Sequence, residues 1–303
     1  MNIREAWRIK DSFDRYVKSP VGVLMPGLCC EHDDIDGAQL AVRSAMAHRA
    51  GRPGARPLPL PEPAGNGPAK EPEFAQRSAE WHAARRGRLS ASLVGAAVGI
   101  SSHQTPLALY RQLVGETKPF TGNAFTRWGA SLEDRARAAW EGLTGRPVDD
   151  AGFQLHATEH WLGCSPDGLV PGRDGEYEDG GVELKCPYNE GNCATAEVGP
   201  AGIEPAHVAQ VLCCMAVTGR RWWDLAYYRP DTGPRGEMHD ERITIWRYRD
   251  SPELAAAWAE ILARCRTFFS CVVMRSPPPK GRPPMIALPA PILVTEATRP
   301  NGG

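Results

Sequence analysis

The sequence predicts a mixed α/β domain in which a central β-sheet is flanked by helices. Residues 222–228 and 242–248 alternate in polarity and carry aromatic side chains, which is typical of strands. Residues 205–217 and 252–269 have the apolar spacing of helices, and Gly219 follows the first of them as a helix-ending residue. Helices and strands that alternate in this order along a chain favour a mixed sheet covered by helices.

The predicted helix at 131–143 shows the local signals most fully. Leu132, Ala136, Trp140 and Leu143 recur on one helical stripe, Ser131 is placed to cap it, and Gly145 is placed to end it. In chain order, the predicted elements are helices at 73–86, 90–98 and 131–143, strands at 160–170 and 181–186, a helix at 205–217, strands at 222–228 and 242–248, and a helix at 252–269.

Composition sets limits on the class of protein. The chain has 303 residues, of which 42% are hydrophobic and 23% charged, as in globular proteins. It contains no apolar run of about 18 residues, so no membrane span is expected, and its start has no signal-peptide pattern. The net charge of −1 excludes a wholly basic surface but not a local basic groove. Nine cysteines without a C-x₂-C spacing favour reduced core thiols over disulfides or a thiolate metal site.

Proline and glycine divide the chain into four parts. Residues 1–50 form an N-terminal segment to which the sequence assigns no role. Residues 51–73 are rich in Pro and Gly and are typical of a linker. The α/β pattern occupies 74–274, and the Pro-rich tail at 275–303 is expected to be disordered.

Candidate chemistry lies in one predicted strand pair. Side chains alternate faces along a strand, so Glu183 and Lys185 share one face. The turn-forming stretch 171–181 lets the chain fold back and bring Asp167 beside Glu183. Two carboxylates, with the backbone carbonyl of Leu184, offer the oxygen ligands that Mg²⁺ prefers, and a lysine beside the ion can orient a water. The pattern therefore predicts hydrolysis of a phosphodiester.

Five sequence blocks in a fixed order carry a resemblance to a known family. They occupy residues 81–92, 128–133, 164–169, 183–187 and 207–211. Residues 74–269 thereby resemble the phage lambda exonuclease, or viral recombinase (YqaJ-like), family of PD-(D/E)xK nucleases. The resemblance implies a restriction-endonuclease-like core and a Mg²⁺-dependent exonuclease. Such an enzyme digests one strand of duplex DNA from a 5′ end and leaves a 3′ overhang for a single-strand-annealing protein.

The resemblance also assigns roles to residues at matching positions. It implies that Asp167 and Glu183 are metal ligands, that Lys185 is the catalytic lysine, that Glu133 assists the metal site from a helix, and that Gln210 belongs to the active-site helix. It further implies two Mg²⁺ ions, for which Mn²⁺ can substitute.

A second set of positions matches the pocket for the 5′ phosphate. Arg85 corresponds to the arginine that holds the phosphate, and Ser92 and Ser165 supply hydroxyl groups. Two departures from the family pattern leave questions open. Arg86 follows Arg85 directly and competes for the phosphate role, and His207 stands where a tyrosine is expected.

The resemblance implies a phage or prophage protein that acts on double-stranded DNA ends in the bacterial cytoplasm, without a membrane, as a homotrimeric ring. Two alternatives remain at this point. One is an endonuclease or structure-specific nuclease of the same fold. The other is a catalytically silent DNA-end-binding recombination factor.

Overall fold

The computed structural model describes residues 78–118, 121–188, 199–281 and 283–299. The helices are α1 (Ala79–Arg85), α2 (Ala91–Ala97), α3 (Pro106–Leu113), α4 (Ala124–Thr144), α5 (Pro205–Thr218) and α6 (Pro252–Val273). The strands are β1 (Leu89–Ser90), β2 (Gln154–Leu155), β3 (Leu162–Cys164), β4 (Gly168–Val170), β5 (Gly180–Lys185), β6 (Trp222–Arg229), β7 (Glu241–Arg249) and β8 (Ile292–Arg299). The predicted N-terminal segment, 1–50, and linker, 51–73, lie outside the described residues.

The strands form two mixed sheets. The larger has the order β4-β5-β6-β7-β8, in which β5 and β6 run parallel and the other neighbouring pairs are antiparallel. The smaller has the order β1-β3-β2 and also combines parallel with antiparallel pairing. The predicted fold class, a mixed sheet flanked by helices, is confirmed.

Alternate residues of β6 face two apolar clusters, one on each side of the larger sheet. Trp223, Leu225 and Tyr227 belong to the cluster that contains residues of α2, α3, α5 and α6. Trp222 and Ala226 belong to the cluster that contains the apolar stripe of α4. The period-two pattern of a strand covered on both faces therefore separates the two halves of the core.

Strand β5 alternates in the same way, and this decides where its polar side chains go. Val182 and Leu184 lie in the cluster on the α4 side. Because successive side chains point to opposite faces, Glu183 and Lys185 lie on the side covered by α5. The polar pair of β5 thus faces one particular helix.

Two glycines fix the register of β5 against β6. Gly180 and Gly181 pair with Trp222 and Trp223. A Cβ atom at Gly180 would lie 2.0 Å from the Trp222 ring, and one at Gly181 would lie 2.4 Å from the Trp223 ring. The indole rings lie directly over the glycine backbone, which a larger residue would prevent. This contact sets the position of Glu183 relative to β6.

Helix α4 begins earlier than the sequence predicts. It starts after Asn123, whose side chain accepts a hydrogen bond from the Thr126 backbone at 3.0 Å, while the Thr126 hydroxyl accepts one from the Asn123 backbone at 2.8 Å. This capping box replaces the expected cap at Ser131, whose hydroxyl instead donates to the Trp128 carbonyl within the helix. The extra turns extend the helix along the sheet.

Two other predictions are wrong. The stretch 160–170 is not one strand but two, β3 and β4, which belong to different sheets. Pro166 lies in the break, where it has no N–H group to donate to a ladder. The tail 275–303 contains β8, which pairs with β7, and its Ile286 is buried against the core. Helix α3 has no counterpart among the predicted elements.

Other expectations agree with the described residues. Within that part of the chain, no helix has the length and apolar character needed to cross a bilayer. Cys164, Cys213 and Cys214 are buried free thiols, as predicted. Burial raises the pKa of the Cys213 thiol, which makes it a packing residue rather than a nucleophile.

Candidate active site

The chain folds back at β4 so that Asp167 lies against β5. Gly168 pairs with Val182 in the antiparallel ladder. A Cβ atom at Gly168 would lie 2.0 Å from Cγ1 of Val148, so glycine allows the turn to close there. The Leu184 backbone N–H then donates to Oδ2 of Asp167 at 2.7 Å. The structure therefore brings Asp167 beside the strand that carries Glu183, as the sequence predicts.

Glu183, Lys185 and Gln210 form a closed triangle of hydrogen bonds. Lys185 Nζ donates to Glu183 Oε1 at 2.7 Å and to Gln210 Oε1 at 3.0 Å. Gln210 Nε2 donates to the same Glu183 oxygen at 2.6 Å. Glu183 is 3% exposed and Gln210 8%. Helix α5 thus places an amide that holds both charged groups of β5 in fixed positions.

The electrostatics of this group favour a bound cation. Burial, followed by the charge of Glu183, raises the pKa of Asp167 to about 8. Burial acts to lower the pKa of Lys185, but Glu183 and Asp167 outweigh it and the net shift is upward. The lysine therefore stays an ammonium, and the two carboxylates repel each other. A cation between them lets both remain ionised.

The donor set fits a hard divalent ion. Glu183 Oε2 is buried and has no hydrogen-bond partner, which is costly for a carboxylate oxygen unless a cation takes the place of water. The described residues contain no group of three or more His, Cys, Asp and Glu side chains arranged to hold a metal. Mg²⁺ is commonly held by one or two carboxylates together with waters and substrate phosphates, so the pair Asp167 and Glu183 suffices for it.

Helix α4 places Glu133 near this region without settling its role. Glu133 and Arg137 are one turn apart on the same face of α4. Arg137 Nη2 donates to the Asp167 backbone carbonyl at 2.6 Å. That face of the helix therefore lies against the Asp167 turn, and Glu133 is half-buried one turn earlier. Metal binding by Glu133 and by the Leu184 carbonyl stays a prediction.

A cluster of hydroxyl groups surrounds Arg85. Its two terminal nitrogens donate to Ser165 Oγ and Ser90 Oγ, each at 3.1 Å. Ser92 joins the cluster through a 3.1 Å contact with Ser90. Arg86 is exposed, so the geometry favours Arg85 for the phosphate role. Burial lowers the pKa of the Arg85 guanidinium, which means that an anion beside it would be favourable.

Two members of this pocket were not predicted from the sequence. Ser90 is buried and lies between Arg85 and Ser92. Trp81 Nε1 donates to Ser165 at 2.9 Å, and its ring lies 4.2 Å from the Arg85 guanidinium carbon. The helical spacing of four residues between Trp81 and Arg85 was the available signal for their contact.

Part of the chain matches a known protein family. Residues 80–221 match the model of the YqaJ-like viral recombinase domain. This region is similar to YqaJ-like viral recombinase domains. A comparison with curated protein sequences gives no significant match.

Solved structures resemble the YqaJ-like domain and its surroundings. An alkaline exonuclease (LHK-Exo) from Laribacter hongkongensis is 28% identical, with a TM-score of 0.51, over 64% of this chain and 92% of its own. The same exonuclease in complex with dAMP gives 27% identity and a TM-score of 0.52, over 64% and 92% of the two chains. A phage-related exonuclease from Haemophilus somnus 129PT is 14% identical with a TM-score of 0.48, over 62% and 96%.

His207 stands where the resemblance leads us to expect a tyrosine, and the structure shows what surrounds that position. His207 Nδ1 lies 2.8 Å from the Tyr227 hydroxyl. Burial, followed by the nearby positive charge of Lys185, lowers the pKa of His207 well below its usual value. The imidazole is therefore neutral. A phenol still lies at this place, but Tyr227 contributes it from β6, next to Lys185 in register.

Proposed function

We propose that this protein is a Mg²⁺-dependent deoxyribonuclease that removes nucleotides from the 5′-phosphorylated end of one strand of linear duplex DNA. One observation carries the proposal. The turn 165–167 has Ser165 on the Arg85 guanidinium at one end and Asp167 in the carboxylate group at the other. The family match and the likeness to an alkaline exonuclease support the same activity.

Asp167 and Glu183 would hold the metal ion. Once bound, Mg²⁺ supplies positive charge that stabilises the reacting phosphate and lowers the pKa of water. Glu183 contributes Oε2, because its Oε1 already accepts hydrogen bonds from Lys185 and Gln210.

Lys185 positions the reactants as a charged donor. An ammonium group has three protons, and Lys185 gives two of them to Glu183 and Gln210. The third orients the attacking water or a phosphate oxygen. Gln210 keeps the lysine in this position because its amide contacts both charged groups.

Arg85 and the hydroxyls of Ser90, Ser92 and Ser165 bind the 5′ phosphate of the strand that is cut. A planar guanidinium suits two phosphate oxygens at once. Hydrolysis breaks the P–O3′ bond and leaves a 5′ phosphate on the next nucleotide. Each turnover therefore recreates the group that Arg85 recognises.

The wider role follows from this direction of digestion. The product is a 3′ overhang, the substrate of a single-strand-annealing protein in phage-type recombination. We place the protein in the bacterial cytoplasm as a phage or prophage product. Two Mg²⁺ ions, replaceable by Mn²⁺, and a homotrimeric ring around the DNA complete the proposal, which the family resemblance supports.

A timed digestion of linear duplex DNA labelled at each end tests the proposal. We expect release of mononucleotides from 5′-phosphorylated ends, slower release from 5′-hydroxyl ends, and no cutting of closed circles. Cutting of closed circles would favour the endonuclease alternative. DNA binding without any cleavage in Mg²⁺ would favour the catalytically silent end-binding factor.

A further inference from the structure

Arg137 joins helix α4 to the turn that carries Asp167. Its Nη2 atom donates to the Asp167 backbone carbonyl at 2.6 Å, and its Nη1 atom lies 2.8 Å from Oδ1 of Asp150. The two arms of one guanidinium thus reach two segments that flank β4. The Arg137 side chain is 20% exposed, whereas that of Asp150 is 93% exposed.

The segment 148–150 is itself held between α4 and β4. Asp149 exchanges backbone hydrogen bonds of 2.7 and 2.9 Å with Leu169. The Val148 N–H donates to Glu141 Oε1 on α4 at 2.9 Å. This segment attaches the far side of β4 to the helix without Arg137. The arm of Arg137 that reaches Asp167 is therefore the one that acts on the metal-binding turn.

The Asp167 residue is fixed by two hydrogen bonds of different kinds. The Leu184 N–H holds its carboxylate through Oδ2, and Arg137 holds its main chain through the carbonyl. Together they set the direction in which the remaining carboxylate oxygen points. Partners that orient metal ligands in this way affect metal affinity by about 10- to 100-fold.

We propose that Arg137 is a positioning residue that sets the Asp167 carboxylate for the divalent ion. The inference rests on the metal site of the proposed function. It gives α4 a role in metal binding that does not depend on Glu133. A guanidinium suits this place because its rigid planar fork fixes the direction of the donor to the Asp167 carbonyl, whereas a lysine ammonium on a flexible stem fixes it less well.

The sign of the effect separates positioning from simple electrostatics. A positive charge near a cation site weakens cation binding, so if charge were the only contribution, removing Arg137 would tighten it. If Arg137 positions Asp167, removing it loosens binding. The two explanations therefore predict opposite changes in affinity.

The test measures Mn²⁺ binding to the full-length protein without DNA, from the electron paramagnetic resonance signal of free Mn²⁺. We expect Arg137→Met to weaken binding about tenfold and Arg137→Lys to weaken it less. Asp150→Ala is the matched control, because it removes only the partner of the exposed arm, and its affinity should equal that of the wild type. Thermal unfolding in EDTA verifies that each variant is folded.

Wild-type or tighter Mn²⁺ affinity in folded Arg137→Met overturns the proposal. If that variant does not fold, Arg137→Lys decides in its place, and unchanged affinity there overturns it equally. Mn²⁺ binding is measured without DNA cleavage. A failure of the proposed nuclease activity can therefore be told apart from a failure of the proposed role of Arg137. A wild-type protein that binds Mn²⁺ through Asp167 but never cuts DNA would refute the activity and leave the role of Arg137 standing.

Discussion

Replacing Arg85 with alanine should remove the preference for 5′-phosphorylated ends and leave the carboxylate group intact. Arg85 contacts hydroxyl groups, whereas Lys185 contacts Glu183 and Gln210. The two sets share no side chain. The substitution therefore alters the recognition of the DNA end rather than the chemistry of hydrolysis.

The size of the effect follows from what Arg85 contacts now. A terminal phosphate would replace two neutral acceptors, the Ser165 and Ser90 hydroxyls, by two anionic oxygens. A neutral hydrogen bond contributes about 1 kcal/mol net and one to a charged group about 2 kcal/mol. Two exchanges favour the phosphate by about 2 kcal/mol, which is roughly 30-fold in kcat/KM.

The assay compares kcat/KM on matched duplexes that end in a 5′ phosphate or a 5′ hydroxyl. We expect a ratio of roughly 30 for the wild type and near unity for Arg85→Ala. Arg86→Ala is the control, because this exposed neighbour has the same charge and should keep the wild-type ratio. Loss of the preference in Arg86→Ala, with retention in Arg85→Ala, would refute the reasoning.

Other contacts predict effects of different kinds. Lys185→Met should lower turnover by about 10³-fold and leave DNA binding in Ca²⁺ unchanged in gel-shift assays; undiminished turnover would contradict its role. Gly181→Ala should destabilise the fold by about 1–3 kcal/mol in urea titrations because its Cβ meets the Trp223 ring, whereas Gly142→Ala, in open space on α4, should be neutral or stabilising. In EDTA, the stability from the raised pKa of Asp167 is fully present below pH 3.8 and is lost as the pH rises through about 8. Asp167→Asn should abolish the contribution of Asp167 to the fall of Tm with rising pH. Parallel curves of Tm against pH for the wild type and the variant would contradict this expectation.

Much of the site could be predicted from the sequence because its signals are local. Period-two alternation placed Glu183 and Lys185 on one face, and turn-forming residues returned the chain to Asp167. The block around Arg85 indicated a basic segment with nearby hydroxyls. Each inference needed only a few neighbouring residues, and the structure brings these side chains together as expected.

The rest depends on contacts that leave no local pattern. Arg137 reaches a backbone carbonyl thirty residues away, and any residue type offers such a carbonyl. Ser90 was missed because its hydroxyl is significant only once Arg85 lies over it. The stretch 160–170 is divided at Pro166, which has no N–H group for a ladder, into strands of two different sheets. The strand β8 was missed because the prolines before it dominated the composition of the tail.

The turn 165–167 also has a consequence for the length of the product. The backbone positions of Ser165 and Asp167 lie at most about 7 Å apart, so the residue that contacts Arg85 and the residue of the carboxylate group stay close together. Only Pro166 lies between these two residues. On the proposed function, the phosphate-binding residues and the metal-binding residues keep a constant separation. Every cut therefore releases a fragment of the same size.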